Sequence, residues 1–305
     1  MHISVLLDET IKYLDLKETD KVIDATLGFA GHSSNILKRI KKGFLFAFDQ
    51  DITATNASNK KLQNISNNFE IINTNFVNMK DELYSRNIRE VDKILYDLGV
   101  SSPQLDEKDR GFSFHNDAVL DMRMDRTKLL TAKQVVNTYS YEQLYNIFYK
   151  YGEEKYSKNI AKKIIEVRNE KEINTTLELV EIIKNAVPEK YKREHHPARK
   201  IFQAIRIEVN DELNVFEKSL KDSLDLISIG GRICVITFHS LEDKICKKIF
   251  NDVSKIDKLV EHLPMIPEEY MPKFKVVATV EPTKEEIERN KRSRSAKLRV
   301  IERIK

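Results

Sequence analysis

The chain contains few of the residues that build small, cross-linked or loop-dominated proteins. Among its 305 residues are two cysteines, eight glycines, seven prolines and no tryptophan. Two cysteines exclude a disulfide framework and a zinc site with four thiolates, and the scarcity of glycine and proline excludes a collagen-like chain. With 41% hydrophobic and 33% charged residues, the composition predicts a folded protein of one large domain or two ordinary ones.

Signals for the membrane, for secretion and for metal are also missing. No apolar run approaches the roughly 20 residues that span a bilayer. Asp8 and Glu9 stand where a secretion signal would need a basic end and then an apolar stretch. We therefore expect a reduced, soluble, cytoplasmic protein. No set of histidines, cysteines and acids has recognisable metal-ligand spacing, so we expect no metal.

Positive charge is concentrated at the end of the sequence. Residues 289–305 hold eight basic side chains and one acid, Glu302, a sum of +7. Since the whole chain carries +4, the remaining residues sum to −3. Such a segment suits a polyanion, because phosphate neutralisation releases counterions. A solvated basic tail is the alternative, and charge alone does not separate the two.

Short apolar runs alternate with helical patterns in both halves of the chain. Strands that alternate with helices predict a doubly wound, Rossmann-like parallel sheet. A late pair of strands brings the expected number to seven, one more than the six-stranded dinucleotide fold has. The predicted strands are 22–27, 44–48, 69–73, 91–98, 232–238, 274–280 and 297–304. Gly230 and Gly231 are predicted to turn the chain into the fifth of them.

The middle of the chain has no strand pattern. There we predict an inserted all-α domain over 105–199, with Thr176 capping one of its helices. The flanking segments 1–104 and 200–305 then form one discontinuous α/β domain. After the insert, apolar residues recur at steps of three and four, which predicts one long helix over 198–227.

The placement of two glycines and one acid indicates a cofactor. Gly28 and Gly31 fall in the first strand-to-helix turn, where glycine lets the backbone approach a ligand. Asp49 ends the second strand, the position from which a carboxylate binds ribose hydroxyls, although Asp51 lies nearby. The loop lacks the G-x-G-x-x-G pattern of pyrophosphate binding. S-adenosylmethionine, an adenosine cofactor without phosphates, therefore fits better than a nicotinamide dinucleotide.

Several long strings resemble one family over nearly the whole chain. The strings are DATLGFAGHS at 24–33, DLGVSSPQLD at 97–106, HPARKIFQAIRIEVNDEL at 196–213, ITFHSLED at 236–243 and NKRSRSAKLR at 290–299. They are similar to the RsmH (MraW) family of ribosomal RNA small-subunit methyltransferases. The resemblance implies a class I S-adenosylmethionine-dependent methyltransferase sheet with a helical insert. It also implies methylation of N4 of a cytidine in the decoding region of 16S rRNA, with the small ribosomal subunit as partner.

The resemblance further implies the residues of a cofactor site, but no catalytic residue. Ala30, Gly31 and His32 would contact the cofactor from the first loop, and Asp49 would hold the ribose. Phe76 would lie near the adenine, and Asp97 and Gln104 would complete the pocket. The family's loop is richer in glycine than this one. If the loop requires a positive φ at Ala30, the alanine will be strained.

The expected chemistry assigns roles to two further places and leaves alternatives open. Asp97, or a backbone carbonyl of its loop, would accept hydrogen bonds from the cytosine amino group. His239 and Ser240 would line the base pocket. The alternatives are that His239 has a helix-capping or packing role and that Ser240 simply caps the following helix. One alternative is a non-catalytic RNA-binding protein on a methyltransferase fold, and another is a nicotinamide-dependent oxidoreductase. A homodimer, and free rRNA rather than an assembled subunit as substrate, also stay open.

Overall fold

A single sheet of seven strands organises the described residues. The computed structural model describes residues 4–194, 196–256, 260 and 262–305, with the backbone alone at Ser102 and Lys108. The strands are β1 (Lys21–Asp24), β2 (Phe44–Phe48), β3 (Phe69–Ile72), β4 (Val91–Asp97), β5 (Ile227–Thr237), β6 (Phe274–Val280) and β7 (Lys297–Arg303). Their spatial order is β3-β2-β1-β4-β5-β7-β6. Strands β1 to β5 pair in parallel, and β7 runs antiparallel between β5 and β6.

The predicted seven-stranded sheet is thereby confirmed, and one strand is longer than predicted. Strands β2 and β6 have the predicted bounds. Gly230 and Gly231, predicted to turn the chain into β5, instead lie inside it. The register between β4 and β5 shifts at this point. A Cβ on Gly231 would lie 2.7 Å from the carbonyl oxygen of Asp92, so glycine allows the two strands to approach across the irregularity.

The chain divides into two compact units that differ in secondary structure. The first, here the sheet unit, comprises Met1–Gly99 and Leu213–Lys305. The second, here the helical unit, comprises Val100–Glu212. These limits lie outside the predicted insert of 105–199 at both ends. The insert as a separate domain with those bounds stays a prediction.

Helices cover both faces of the sheet. They are α1 (Leu7–Leu14), α2 (Gly31–Leu37), α3 (Ile52–Gln63), α4 (Met79–Ser85), α12 (Glu212–Leu226), α13 (Ser240–Ser254) and α14 (Lys284–Arg289). Because side chains alternate along a strand, successive strand residues enter opposite cores. Ile23 and Ile94 lie in one core, and Val22 and Leu95 lie in the other. The parallel strands are therefore buried on both sides, which explains their continuous apolar sequences.

In the helical unit, the regular structure of the described residues consists of helices and one isolated bridge, Val119–Thr175. The helices are α5 (Ser102–Asp106), α6 (Ala132–Thr138), α7 (Tyr141–Lys150), α8 (Ser157–Glu170), α9 (Thr176–Asn185), α10 (Glu189–Glu194) and α11 (Ala198–Asn210). The N-cap of α9 is Thr175 rather than the predicted Thr176, whose hydroxyl donates instead to the carbonyl of Asn116. Within the described residues, no helix has the length and apolarity to cross a bilayer.

The long helix predicted over 198–227 is wrong, because the chain breaks it at Asp211. That residue adopts the left-handed conformation with φ 54°, which ends α11 before α12 begins. Aspartate tolerates this conformation better than most residues. The Arg206 guanidinium bridges the break with two hydrogen bonds of 2.8 Å to the Glu212 carboxylate.

Candidate active site

Three carboxylates mark the carboxyl ends of three adjacent strands. Asp24 ends β1, Asp49 directly follows β2, and Asp97 ends β4. Strands β2, β1 and β4 are neighbours and run in parallel, so their carboxyl ends meet at one edge of the sheet. This edge is where open α/β sheets bind ligands.

Asp49 is fixed by two backbone donors. Its Oδ2 accepts a hydrogen bond of 2.8 Å from the backbone N–H of Gly28, and its Oδ1 accepts one of 2.8 Å from that of Asp51. Burial raises the pKa of Asp49 to about 6, although both hydrogen bonds act to lower it. Asp51, the alternative carboxylate, caps α3 by accepting from the backbone N–H of Thr53. Asp49 is thus bonded to the β1–α2 loop, and Asp51 is bonded to the first turn of α3.

Two side chains of α3 and a backbone N–H of β4 hold the same loop. Ser58 on α3 donates a 2.8 Å hydrogen bond to the carbonyl of Gly28, and Lys61 donates one of 2.9 Å to the carbonyl of Phe29. On the other side, the hydroxyl of Thr26 accepts a 2.7 Å bond from the backbone N–H of Asp97. The loop is therefore positioned before any ligand arrives.

The loop requires a positive φ at Ala30. The sequence predicts backbone strain at this alanine under that condition. Ala30 has φ 55° and ψ 40°. A left-handed non-glycine residue costs about 1–2 kcal/mol. Its buried methyl group packs in the core around α1 and α2, which offsets part of that cost. Gly31 has a different role, since a Cβ there would lie 1.9 Å from the hydroxyl oxygen of Ser4.

The buried His32 interacts with two of the acids, the buried Asp24 and the partly buried Asp97. The Nε2 atom of His32 lies 3.4 Å from Oδ2 of Asp97. Burial alone would lower the pKa of His32, but the carboxylates of Asp97 and Asp24 more than offset this effect and leave it raised. The Oδ1 atom of Asp97 is buried and accepts no hydrogen bond within the described part of the chain. Among the described residues, that oxygen is therefore an acceptor without a donor.

Asp24 was not singled out as a functional residue by the sequence reasoning. It is 1% exposed, and burial raises the pKa of its carboxyl. Its two oxygens accept from the hydroxyl of Ser33 at 2.6 Å and from the backbone N–H of Thr26 at 3.1 Å. An acid within a buried apolar strand, four residues before the glycine of the turn, is the sequence signal that could have found it.

Phe76 follows β3 in a short 3-10 helix, Phe76–Asn78. Its half-buried ring meets the ring of Tyr96 edge to face, with centroids 5.6 Å apart. The Tyr96 hydroxyl is bonded to Ser219 at 2.7 Å and Ser223 at 2.6 Å. Phe76 thus lies after β3, the strand next to β2, with its ring against that of Tyr96.

Gln104 belongs to the helical unit, where it helps to begin α5. Its side chain accepts a 3.0 Å hydrogen bond from the backbone N–H of Ser101, whose hydroxyl in turn accepts from the N–H of Gln104. This capping box gives Gln104 a local structural role. The other six implied site residues all lie in the sheet unit.

The capping residue of α13 is His239 rather than the predicted Ser240. The His239 side chain accepts from the backbone N–H of Glu242, and the Glu242 carboxylate accepts from the backbone N–H of His239 at 3.2 Å. The helix-capping alternative for His239 is thereby confirmed, and the capping role predicted for Ser240 is wrong. A role in binding a base stays a prediction.

The basic C-terminal run is not a tail. Its second half forms β7, and Arg299 binds the carboxylate of Asp243 with bonds of 2.6 and 3.0 Å. Its first half forms a 3-10 helix, Lys291–Ser295, on which Arg292 and Arg294 are exposed. Part of the positive charge is thus structural, and part faces solvent on an ordered turn.

A seven-stranded sheet with an antiparallel β7, and carboxylates at the ends of β1, β2 and β4, defines a class I S-adenosylmethionine-dependent methyltransferase fold. The chain belongs to the MraW methylase family, whose sequence model matches residues 1–304. It is 50% identical over 307 residues to the ribosomal RNA small subunit methyltransferase H of Exiguobacterium sibiricum, covering 100% of this chain and 98% of that protein.

Two solved structures are more distant. A candidate rRNA methylase from Clostridium thermocellum has 14% identity and a TM-score of 0.48, with 100% of both chains covered. A candidate methyltransferase from Streptococcus mutans, in complex with SAH, has 13% identity and a TM-score of 0.47, with 99% of both chains covered. At these values they add nothing to the family assignment.

Proposed function

We propose that this protein transfers a methyl group from S-adenosylmethionine to N4 of a cytidine in the decoding region of 16S rRNA. The family match and the 50% identical relative support the reaction class and the rRNA substrate. The structural observation that carries the proposal is the row of Asp24, Asp49 and Asp97, in which one buried carboxylate oxygen of Asp97 has no donor among the described residues.

The charge of the site fits this cofactor better than a dinucleotide. Three carboxylates at adjoining strand ends repel a pyrophosphate and attract a ligand that carries positive charge. S-adenosylmethionine supplies, when bound, an electrophilic methyl group on a positive sulfonium. The nicotinamide-dependent oxidoreductase is therefore the weaker alternative, in agreement with the missing G-x-G-x-x-G pattern.

Two carboxylates of the chain bind and orient the reactants. Asp49 has lone pairs left after its two backbone bonds, and it accepts from ribose hydroxyls while its bond to Gly28 keeps the loop in register. Asp97 accepts from an amino hydrogen of the cytosine through Oδ1, which has no donor among the described residues. This acceptor stabilises the positive charge that develops on N4 as its lone pair attacks.

His32 and Asp24 act through Asp97 and the loop. The positive charge favoured on His32 lies beside Oδ2 of Asp97 and holds that carboxylate in place. The Asp24 carboxylate accepts from the backbone N–H of Thr26, and the Thr26 hydroxyl accepts from the backbone N–H of Asp97. Both are positioning residues rather than catalytic ones.

The target must be presented outside a base stack, at a cost of a few kcal/mol. A single-stranded or looped region of rRNA lowers that cost. The exposed Arg292 and Arg294 are placed to neutralise phosphates. With ribosomal RNA as substrate, the reaction takes place in the cytoplasm.

A transfer assay with labelled S-adenosylmethionine tests the proposal. Small subunits and protein-free 16S rRNA, both from cells that lack this protein, are the two acceptors. We expect label in N4-methylcytidine after digestion, strong loss of transfer in Asp97→Asn, and normal transfer in Asp81→Asn, an exposed acid on α4.

The same assay separates the alternatives. Cofactor binding without transfer to either RNA would identify a non-catalytic RNA-binding protein. Tight binding of NAD(H) with no binding of S-adenosylmethionine would support the oxidoreductase.

A further inference from the structure

Three tyrosines form a ladder along one face of α7. Tyr141, Tyr145 and Tyr149 are spaced by four residues, which places them one above the other on a helix. The rings of Tyr141 and Tyr145 are inclined by 10° with centroids 6.4 Å apart, and those of Tyr145 and Tyr149 by 22° at 5.8 Å. Nearly parallel aromatic planes therefore extend along about two helical turns. We refer to these residues as the tyrosine ladder.

Packing in the core of the helical unit does not account for the exposed tyrosine surface of the ladder. Tyr149 is 59% exposed, and the other two rings pack against the core with only part of their surface. None of the three hydroxyls makes a hydrogen bond to the described residues. Large exposed aromatics without polar partners are typical of surfaces that bind another molecule.

Lysines accompany the ladder. The ammonium nitrogen of Lys158, on α8, lies 5.9 Å from the ring centroid of Tyr145. Lys162 is one turn further along α8, and Lys150 directly follows Tyr149. All three lysines are exposed and, within the described residues, none is in an ion pair. On α7 itself the sequence has a single acid, Glu142, so the charge beside the ladder is mainly positive.

We propose that the tyrosine ladder and its lysines bind a single-stranded segment of the RNA substrate. Bases stack on aromatic faces without regard to sequence, while lysines neutralise the phosphates between them. The arrangement suits RNA with unpaired bases, because a duplex offers no free base face to a tyrosine. The choice of RNA rests on the proposed function, whereas the location of the surface rests on the ladder.

The first test measures affinity for two probes, a fluorescein-labelled single-stranded RNA of 12 nucleotides and a 12-base-pair RNA duplex. Removing one stacked ring weakens binding by about fivefold or more. We expect that loss for the single strand in Tyr149→Ala, with less than a twofold change for the duplex. Tyr149→Phe keeps the ring and should bind like the wild type. Tyr270→Ala removes a 47% exposed tyrosine of the sheet unit and serves as the matched control.

The lysines are tested through the salt dependence. Each phosphate contact contributes about 0.7 to the slope of log affinity against log salt for a single strand. Lys158→Gln combined with Lys162→Gln should therefore flatten the slope by about 1.4. Because the chain has no tryptophan, tyrosine fluorescence gives an independent readout, and its quenching by the single strand should be smaller in Tyr149→Ala.

Two outcomes overturn the proposal: no binding of the single strand by the wild type, or equal affinities of the wild type and Tyr149→Ala. Equal affinities would leave this face to a protein partner. Failure here is distinguishable from failure of the proposed function. If the protein methylates 16S rRNA but Tyr149→Ala leaves the affinity for single-stranded RNA unchanged, only the role of the tyrosine ladder is rejected. Ladder-dependent RNA binding without any methyl transfer would reject the proposed reaction alone.

Discussion

A 2.8 Å hydrogen bond joins the Oδ2 atom of Asp49 to the backbone N–H of Gly28. It connects the end of β2 to the loop that follows β1, so one carboxylate shapes the loop and faces the proposed ribose position. Because the backbone donors do not use all of its lone pairs, Asp49 can bind a ligand without releasing the loop. The rigidity of the site and its affinity therefore depend on the same side chain.

Replacing Asp49 tests this double role. Asp49→Ala should weaken binding of S-adenosylmethionine roughly tenfold or more, because it removes a charge-assisted acceptor. Isothermal titration calorimetry measures the affinity, and thermal unfolding reports separately on the loop. Asp81→Ala on α4 is the control. An unchanged affinity in Asp49→Ala would assign the ribose to another group.

The pKa of Asp49 predicts how cofactor binding depends on pH. Burial raises it from 3.8 to about 6, and the ionised form is the better acceptor. Affinity should therefore be constant above about pH 7 and fall as pH drops through 6, whereas Asp49→Asn should show no such step. A step of equal size in the wild type and in Asp49→Asn would exclude Asp49 as its origin.

The same shift has a defined sign for stability. The folded chain takes up a proton on Asp49 at a pH where the unfolded chain does not. The contribution of Asp49 to stability is thus fully present below about pH 4 and is lost as pH rises through 6. The melting temperature of the wild type, relative to Asp49→Asn, should accordingly rise as pH is lowered from 7 to 5.

Ala30 gives a prediction about backbone strain. Ala30→Gly relieves about 1–2 kcal/mol of left-handed strain and loses about 0.8 kcal/mol from one buried methyl group. The free energy of unfolding should therefore change by no more than about 1 kcal/mol. Ala30→Val places a β-branched residue at φ 55° and should destabilise strongly. Urea denaturation compares them, and a valine variant as stable as the wild type would refute the strain.

The exposed arginines near the C-terminus separate RNA binding from folding. Arg292→Ala with Arg294→Ala should reduce affinity for single-stranded RNA and flatten its salt dependence by about 1.4, with cofactor affinity unchanged. Lys41→Ala with Lys60→Ala removes two exposed charges elsewhere on the sheet unit as a control. The same slope in both double variants would mean that the arginines do not contact RNA.

The sheet could be predicted from the sequence because its strands are local signals. The sequence FLFAF directly after Gly43 leaves little choice of bounds, and β2 has the predicted ones. In β5 the same reasoning failed, since a glycine pair usually indicates a turn. There it permits a close approach to the backbone of Asp92, a long-range contact that no local pattern contains.

The site could be predicted only in outline. Ala30 and Asp211 have positive φ values that tertiary structure imposes, and neither residue type by itself predicts that conformation. The resemblance identified His32 and Asp97 as members of the site, but their 3.4 Å approach and the support from Asp24 required coordinates. Periodicity likewise predicted one helix through Asp211 because apolar spacing continues across the break.

Mass spectrometry of nucleosides from the decoding region of 16S rRNA tests the central claim most directly. Cells that lack this protein should lose N4-methylated cytidine there. Expression of the wild type or of Asp81→Asn should restore it, and Asp97→Asn should not. Persistence of the modified nucleoside at that position in cells without the protein would contradict the account.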